Sequence, residues 1–172
     1  KDRMHWYISS PVGEFVYHLA DGLLKKQKMN IGQGKFYIRS VEILKSPKFE
    51  GEMKFRSLSP ITIHTVEVED GERKTVSCAP HEMKFVENIK NNLLRKYFLL
   101  QGKLPDDMSI QFAVDEKYLR DRGKLIAYKD TLIKGYQVPF RLKCDSGLME
   151  VAYDCGVGEK NSAGFGFIEV RR

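Results

Sequence analysis

Long apolar runs, paired cysteines and clustered metal ligands are all missing from this chain of 172 residues. Its three cysteines, Cys78, Cys144 and Cys155, show no Cys-x-x-Cys spacing, so we expect small buried hydrophobes in a reducing cytoplasm rather than disulfides. Its four histidines are scattered, so we predict no metal site and no cofactor. No segment is apolar enough to cross a bilayer and the start shows no signal-peptide pattern, so no membrane partner is expected.

Positive charge is in only mild excess over negative charge. The chain has 29 Lys plus Arg against 23 Asp plus Glu, a net charge of +6, and no run of five like charges. This balance suits a polyanionic partner without identifying one. We expect most lysines to lie on a solvated surface.

The chain from Met53 onward predicts the β-α-β-β-α-β order of a ferredoxin-like domain. Apolar periodicity predicts a β-rich stretch at 53–65 with a bend at Ser59-Pro60, and this stretch extends to Val68. An Asp70-Gly71 turn then leads into a return segment that ends near Val76. The later elements are a helix at 81–100, strands at 109–114 and 134–144, a helix containing Leu148, and a strand at 165–170.

The front of the chain predicts a smaller β-α-β unit. Residues 4–9 alternate as a strand, Ser10-Pro11 opens an amphipathic helix, and residues 36–44 form the next strand. We therefore expect two domains, a partial one at 1–48 and a complete one at 49–172. A three-element unit leaves strand edges and an apolar helix face poorly covered, so we expect either packing on the second unit or a missing segment in front of Lys1. The abrupt entry into a strand without an initiator Met favours the missing segment.

A glycine-rich loop at 156–166 connects the last helix to the last strand. Dinucleotide and NTPase phosphate loops run from a strand into a helix, so the order seen here excludes both. Exposed N-H groups in such a loop form an anion-binding concavity, and a tight crossover packed on the sheet is the alternative. The residues predicted to contact a phosphate-rich partner are Gly156, Gly158, Lys160, Asn161, Ser162, Gly164 and Gly166.

Strand parity indicates a second basic surface. The apolar side chains of residues 136–144 alternate with Arg141 and Lys143, which therefore share the opposite face of the predicted sheet. By the same parity we expect Thr62, His64, Phe165 and Phe167 on that face. Aromatic rings stack on unpaired bases and Arg or Lys neutralise phosphates, so the face suits single-stranded nucleic acid. The alternative is that the other domain covers it.

The segment Tyr153 to Val170, with Gly-Glu-Lys-Asn-Ser at its centre, resembles the C-terminal signature of a known family. The family is that of the CRISPR-associated endoribonucleases of the RAMP superfamily, which cut repeat RNA into guide RNAs. Leu58-Ser59-Pro60-Ile61 and Trp6-Tyr7-Ile8-Ser9-Ser10-Pro11 support the resemblance. It implies an α+β chain of tandem ferredoxin-like (RRM-like) domains, the first incomplete here.

The resemblance also implies a function, CRISPR RNA maturation, with repeat RNA or precursor guide RNA as partner. Family members cleave without metal by 2'-hydroxyl attack, leaving a 2',3'-cyclic phosphate. Their usual catalytic histidine lies in a region that this chain does not contain, so none is carried over, and His5 is the remaining candidate. The alternatives are a repeat-RNA-binding protein without activity and a structural subunit of a CRISPR effector complex, with other subunits or a second copy as partners.

Overall fold

The computed structural model describes residues 3–171, and a boundary between Pro47 and Lys48 divides them into two units. The helices are α1 Gly13–Lys26, α2 Met83–Gln101 and α3 Ser146–Cys155. The strands are β1 Lys28–Ile31, β2 Gly34–Tyr37, β3 Glu52–Ser57, β4 His64–Glu69, β5 Glu72–Ser77, β6 Gln111–Val114, β7 Lys124–Tyr128, β8 Thr131–Gly135, β9 Pro139–Lys143 and β10 Ile168–Val170. Within the described range, no helix is long and apolar enough to cross a membrane.

The first unit contains the predicted amphipathic helix. The hydroxyl of Ser10 accepts the N-H of Val12 at 3.1 Å just before α1 begins. The helix ends at Lys26 and is capped by Gln27, which has a left-handed φ of 54° and donates its N-H to the carbonyl of Leu23. Ala20 is the only buried hydrophobic side chain among the described residues of this unit. The apolar face of α1 therefore has little cover within the described part of its own unit.

The predicted β-α-β order of this unit is wrong. Residues 4–9 form no strand, and residues 38–50 have no regular structure. Strand β2 instead pairs with β1 in a hairpin directly after α1. Gly32 adopts a left-handed φ of 57° in the intervening turn, which lets the chain reverse. The two strands therefore supply each other's backbone hydrogen-bond partners in a local antiparallel pair.

The second unit is a ferredoxin-like domain. Its main sheet is antiparallel with the order β10-β3-β9-β6, which reads fourth, first, third and second along the chain. One face of this sheet and the helices α2 and α3 share a single apolar core. The largest fully buried side chains of this core are Tyr136, Phe55, Phe85, Ile61, Ile63, Ile89, Leu142, Leu148, Met149 and Ile168. The predicted fold class, α+β, is confirmed.

The hairpin of β4 and β5 is also confirmed, with Asp70 and Gly71 at left-handed φ values of 51° and 80°. The predicted single strand at 134–144 is wrong. Its first two residues, Lys134 and Gly135, end β8, which pairs with β7, whereas residues 139–143 are β9 of the main sheet. Between them Tyr136 pairs with Ile61 in an isolated bridge, so the chain changes partners there.

The cysteines are free thiols, with Cys78 and Cys144 buried and Cys155 half-buried. Burial, followed by the nearby charges of Asp145 and Asp107, raises the pKa of the Cys144 thiol to about 12. This thiol therefore stays neutral near pH 7. The prediction that these residues act as small hydrophobes is confirmed for Cys78 and Cys144.

Candidate functional site

The glycine-rich loop is attached to the chain segment between β3 and β4. The N-H of Gly166 donates to the carbonyl of Pro60 at 2.8 Å, and the N-H of Glu159 donates to the carbonyl of Thr62 at 2.9 Å. A further bond from the N-H of Val157 to the carbonyl of Gly166, at 2.8 Å, closes the base of the loop. These bonds give the loop a defined conformation.

The glycines of the loop serve two different needs. Gly158 has a φ of 79°, and a Cβ at this position would lie 2.7 Å from the carbonyl oxygen of Thr62. Gly156 and Gly166 are also buried, and a Cβ at either would lie within 2.8 Å of another backbone oxygen. Gly164 has a φ of 88° but is exposed, and a Cβ there would meet no atom within 4 Å. Three of the four glycines therefore allow close backbone packing, and the fourth allows a turn.

The tip of the loop exposes donors. Lys160 is exposed in a left-handed conformation with φ 55°, and Ser162 is also exposed. The backbone N-H groups of Lys160, Asn161 and Ser162 make no hydrogen bond to any described residue. The Asn161 side chain faces inward, where its Nδ2 donates to the carbonyls of Phe165 at 3.0 Å and Val157 at 3.4 Å. The side-chain donors of Asn161 thus stabilise the loop itself.

Lys96 of α2 supports the loop from below. Its Nζ donates to the carbonyls of Gly156 and Gly158, at 2.8 Å each. Burial lowers the pKa of Lys96 from its ordinary value of 10.5 to about 8, while Cys155 and Glu159 oppose the change. The sequence interpretation missed this residue. Its signal was its position three residues after Leu93 on the apolar side of the helix, where a lysine is unexpected.

A histidine and a carboxylate meet beside the loop. Nδ1 of His64 lies 2.7 Å from Oε2 of Glu159, and the two side chains are 18% and 35% exposed. The amide of Asn88 donates to the carbonyl of His64 at 3.0 Å, which holds the start of β4 against α2. Two titratable side chains from outside the loop thus contact it, His64 through Glu159 and Lys96 through the carbonyls of Gly156 and Gly158. No group of three or more His, Cys, Asp or Glu that could hold a metal occurs among residues 3–171.

The open face of the main sheet carries the second set of predicted contacts. Arg141 and Lys143 alternate with buried residues on β9 and are exposed. Register places Lys54 opposite Arg141, and Glu52 opposite Lys143. The Arg141 guanidinium lies 3.9 Å from the Glu52 carboxylate. These side chains lie on the sheet face, whereas Lys160 and Ser162 belong to the loop.

Strand parity also predicted Thr62, His64 and Phe165 on this open face, and this prediction is wrong for all three. Thr62 is fully buried and donates its hydroxyl to the carbonyl of Lys134 at 2.9 Å. His64 faces the loop carboxylate instead, and Phe165 is buried. The alternation breaks because residues 58–63 leave β3 and form a separate connection. His5 is exposed in the first unit, in a stretch without regular structure, and its role stays a prediction.

Similarity to known proteins identifies the family. The profile described as "CRISPR associated protein Cas6, C-terminal" matches residues 44–170, which include the whole sheet, both helices of the second unit and the glycine-rich loop. The chain belongs to the Cas6 family. The resemblance seen in the sequence is therefore confirmed.

Relatives of the Cas6 family extend the match beyond this segment. The CRISPR-associated endoribonuclease Cas6 1 of Methanocaldococcus jannaschii is 38% identical over 168 residues, covering 96% of this chain and 63% of that protein. A solved structure described as CRISPR associated protein Cas6 matches with a TM-score of 0.83 and 33% identity, covering 95% of this chain and 66% of the other. A structure of a Cas6-related gene product from Pyrococcus furiosus matches with a TM-score of 0.84 and 26% identity, with the same coverage. The chain thus spans a little under two thirds of the length of these Cas6 relatives.

Two glycine substitutions should separate packing from backbone strain. Gly164→Ala introduces only the cost of a left-handed alanine, about 1–2 kcal/mol. Gly158→Ala adds a collision with the Thr62 carbonyl to the same strain and should lower the free energy of unfolding further. Urea unfolding followed by circular dichroism measures both. Equal losses for the two variants would contradict the packing role of Gly158.

Lys96 should make stability depend on alkaline pH. Between pH 8 and 10.5 the folded protein binds fewer protons at this group than the unfolded chain does, so this contribution to the free energy of unfolding rises with pH. Relative to Lys96→Met, the wild type should gain up to about 3 kcal/mol across that window and nothing below it. Urea unfolding at several pH values measures the difference. A constant difference from pH 7 to 10.5 would contradict the burial of a charged ammonium.

Proposed function

We propose that the chain binds CRISPR repeat RNA and takes part in CRISPR RNA maturation as a Cas6 endoribonuclease. The observation that carries this proposal is the exposed loop tip, which lies in the segment matched by the family profile. It presents the Lys160 ammonium and three consecutive N-H groups that bond to none of residues 3–171. Phosphate oxygens accept from such donors, and the lysine neutralises their charge. The 38% identity to a protein named as a CRISPR-associated endoribonuclease supports the same function.

The open face of the sheet is the second part of the proposed RNA surface. Arg141 and Lys143 of β9 and Lys54 of β3 are exposed on it. Same-face residues on a strand are about 6.6 Å apart, a spacing that lets successive cations meet successive phosphates of an extended strand. Base-independent phosphate contacts of this kind bind RNA strongly and weaken with salt.

The proposed reaction is metal-independent cleavage. The 2'-hydroxyl attacks the adjacent phosphorus, the bond to the 5'-oxygen breaks, and the products are a 2',3'-cyclic phosphate and a free 5'-hydroxyl. This step needs a base for the 2'-hydroxyl, a cation for the phosphorane and an acid for the leaving oxygen. Lys160 is a candidate for the cation, and His5 remains the candidate for an acid or base.

A binding protein without activity is the second candidate function. The observation in its favour is that residues 156–166 contain no imidazole, so the exposed loop tip offers donors but no group that transfers protons near pH 7. Such a protein would hold repeat RNA alone, as a dimer, or as a subunit of a CRISPR effector complex. Co-purification of other subunits with processed guide RNA would favour the last of these.

Removing the Lys160 charge should weaken RNA binding in a salt-dependent way. Loss of one phosphate contact to a single strand lowers the slope of log K against log salt by roughly 0.7. We expect this change for Lys160→Ala in fluorescence anisotropy titrations with a labelled repeat RNA. Lys103→Ala, an exposed lysine outside both proposed surfaces, is the matched control and should leave the slope unchanged. An unaltered slope for Lys160→Ala would rule out direct contact.

Cleavage should occur in the presence of EDTA and depend on the 2'-hydroxyl. The assay uses a repeat RNA and a matched RNA with 2'-deoxyribose at the cut site, and mass spectrometry identifies the product ends. A 2',3'-cyclic phosphate from the first RNA and an intact second RNA are the expected results. Binding of both RNAs without any product would support the non-catalytic alternative. If the protein bound neither RNA, the catalytic and the non-catalytic functions would both be overturned.

A further inference from the structure

A cleft opens at one end of the main sheet, where β3, β9 and the last described residues meet. Its volume is about 280 Å³, and it is lined by Arg56, Ser57, Tyr118, Gln137, Val138, Pro139 and Arg171. Every one of these residues belongs to the second unit. The volume lies just below the usual range of small-molecule pockets, so the cleft accommodates one group of nucleotide size rather than a folded ligand.

Two guanidinium groups flank the cleft. Arg56 is paired with Glu169 on the neighbouring strand, and its side chain is 62% exposed. Arg171 lies 3.6 Å from Asp115, and its side chain is 49% exposed. Exposed ion pairs of this kind contribute little to stability, because water screens them. A phosphate can therefore replace either carboxylate as the partner, and guanidinium groups bind phosphate through two parallel N-H donors.

An aromatic ring completes the lining. Tyr118 lies in a single 3-10 turn, Glu116–Tyr118, which follows β6 and is fixed by the bond from the Tyr118 N-H to the Asp115 carbonyl at 2.8 Å. The Nζ of Lys117 lies 5.0 Å from the centre of the same ring. The ring is half-buried and packs partly against the core, and its remaining surface faces the cleft. Proteins that bind single-stranded nucleic acid combine such aromatic surface with cationic side chains to stack unpaired bases.

The amide of Gln137, another lining residue, is held in a fixed orientation. Its Nε2 donates to the carbonyl of Leu58 at 2.9 Å, and its Oε1 accepts from Lys124 at 3.3 Å. Behind it, the Ser57 hydroxyl and Val138 backbone bond to each other and close the floor. The cleft is thus a built depression with a rigid floor and exposed cationic rims.

The cleft is continuous with a basic row on the open face of the sheet, formed by Lys54, Arg141 and Lys143. Arg56 is two residues from Lys54 on β3, and Lys54 pairs in register with Arg141 on β9. The backbone N-H of Arg171 donates to the carbonyl of Lys54 at 2.8 Å, so the Arg171 backbone lies beside Lys54 while its side chain lines the cleft. An RNA strand that follows the row would reach the cleft with its next phosphate.

We propose that this cleft is a pocket for one unpaired RNA nucleotide, with its base stacked on Tyr118 and its phosphate bound by Arg56 and Arg171. The proposal rests on the proposed RNA-binding function and specifies where an unpaired residue of the bound strand lies. We expect a nucleotide of single-stranded RNA to bind in the pocket. Its affinity should depend little on which base it carries, since every base can stack on an aromatic ring.

Paired variants test the two halves of the pocket. Tyr118→Leu should weaken binding of a labelled single-stranded repeat RNA roughly five- to 150-fold, as loss of one stacked base does, and Tyr118→Phe should restore binding. Arg56→Gln with Arg171→Gln should lower the salt slope by roughly 1.4, as loss of two phosphate contacts does. The matched control is Arg73→Gln with Arg95→Gln, two exposed arginines without an ion pair among residues 3–171. Thermal unfolding confirms that each variant is folded.

The outcomes separate this proposal from the function on which it rests. Failure of the wild type to bind repeat RNA would overturn both. Normal binding by the wild type and by all pocket variants would overturn the nucleotide pocket alone. Should a variant not fold, photo-crosslinking of 4-thiouridine-substituted repeat RNA to the wild type decides the question. An adduct at Tyr118 or its neighbours supports the pocket, and adducts confined to other segments contradict it.

Discussion

The hydrogen bonds of a three-residue segment, Pro60 to Thr62, organise much of the second unit. The carbonyls of Pro60 and Thr62 accept from the glycine-rich loop, and both backbone groups of Ile61 pair with Tyr136. The Thr62 hydroxyl is bonded to Lys134. Because one short segment serves the loop on one side and the β8–β9 junction on the other, neither can shift without breaking buried bonds.

This arrangement gives the two proposed RNA surfaces different physical characters. The loop is rigid because Lys96 and Asn161 use their donors on its own carbonyls, so only its tip is available to a ligand. The sheet face is a row of exposed side chains whose ion pairs are screened by water. Fixed backbone donors on one surface and flexible cations on the other suit a polymer whose backbone is regular and whose sequence varies.

Much of the second unit could be predicted from the sequence, because its elements follow local rules. The helix that contains Ile89 and Leu93 shows a clear 3.6-residue period, and the Asp70-Gly71 turn has the residues that a tight hairpin needs. The same local rules failed at 134–144, where the alternation continues through a change of strand partner. They also failed in the first unit, where β2 pairs with β1 across a local turn.

The sequence by itself determined the order of the two helices and the main-sheet strands in the second unit, the glycine-rich loop and the family signature, because these depend on neighbouring residues. The tertiary structure alone decided the contacts between distant segments. It brought Lys96 beneath the loop, His64 against Glu159, and Arg56, Tyr118 and Arg171 around one cleft. No local pattern encodes such contacts, since they arise only when the sheet order places remote strands and turns side by side.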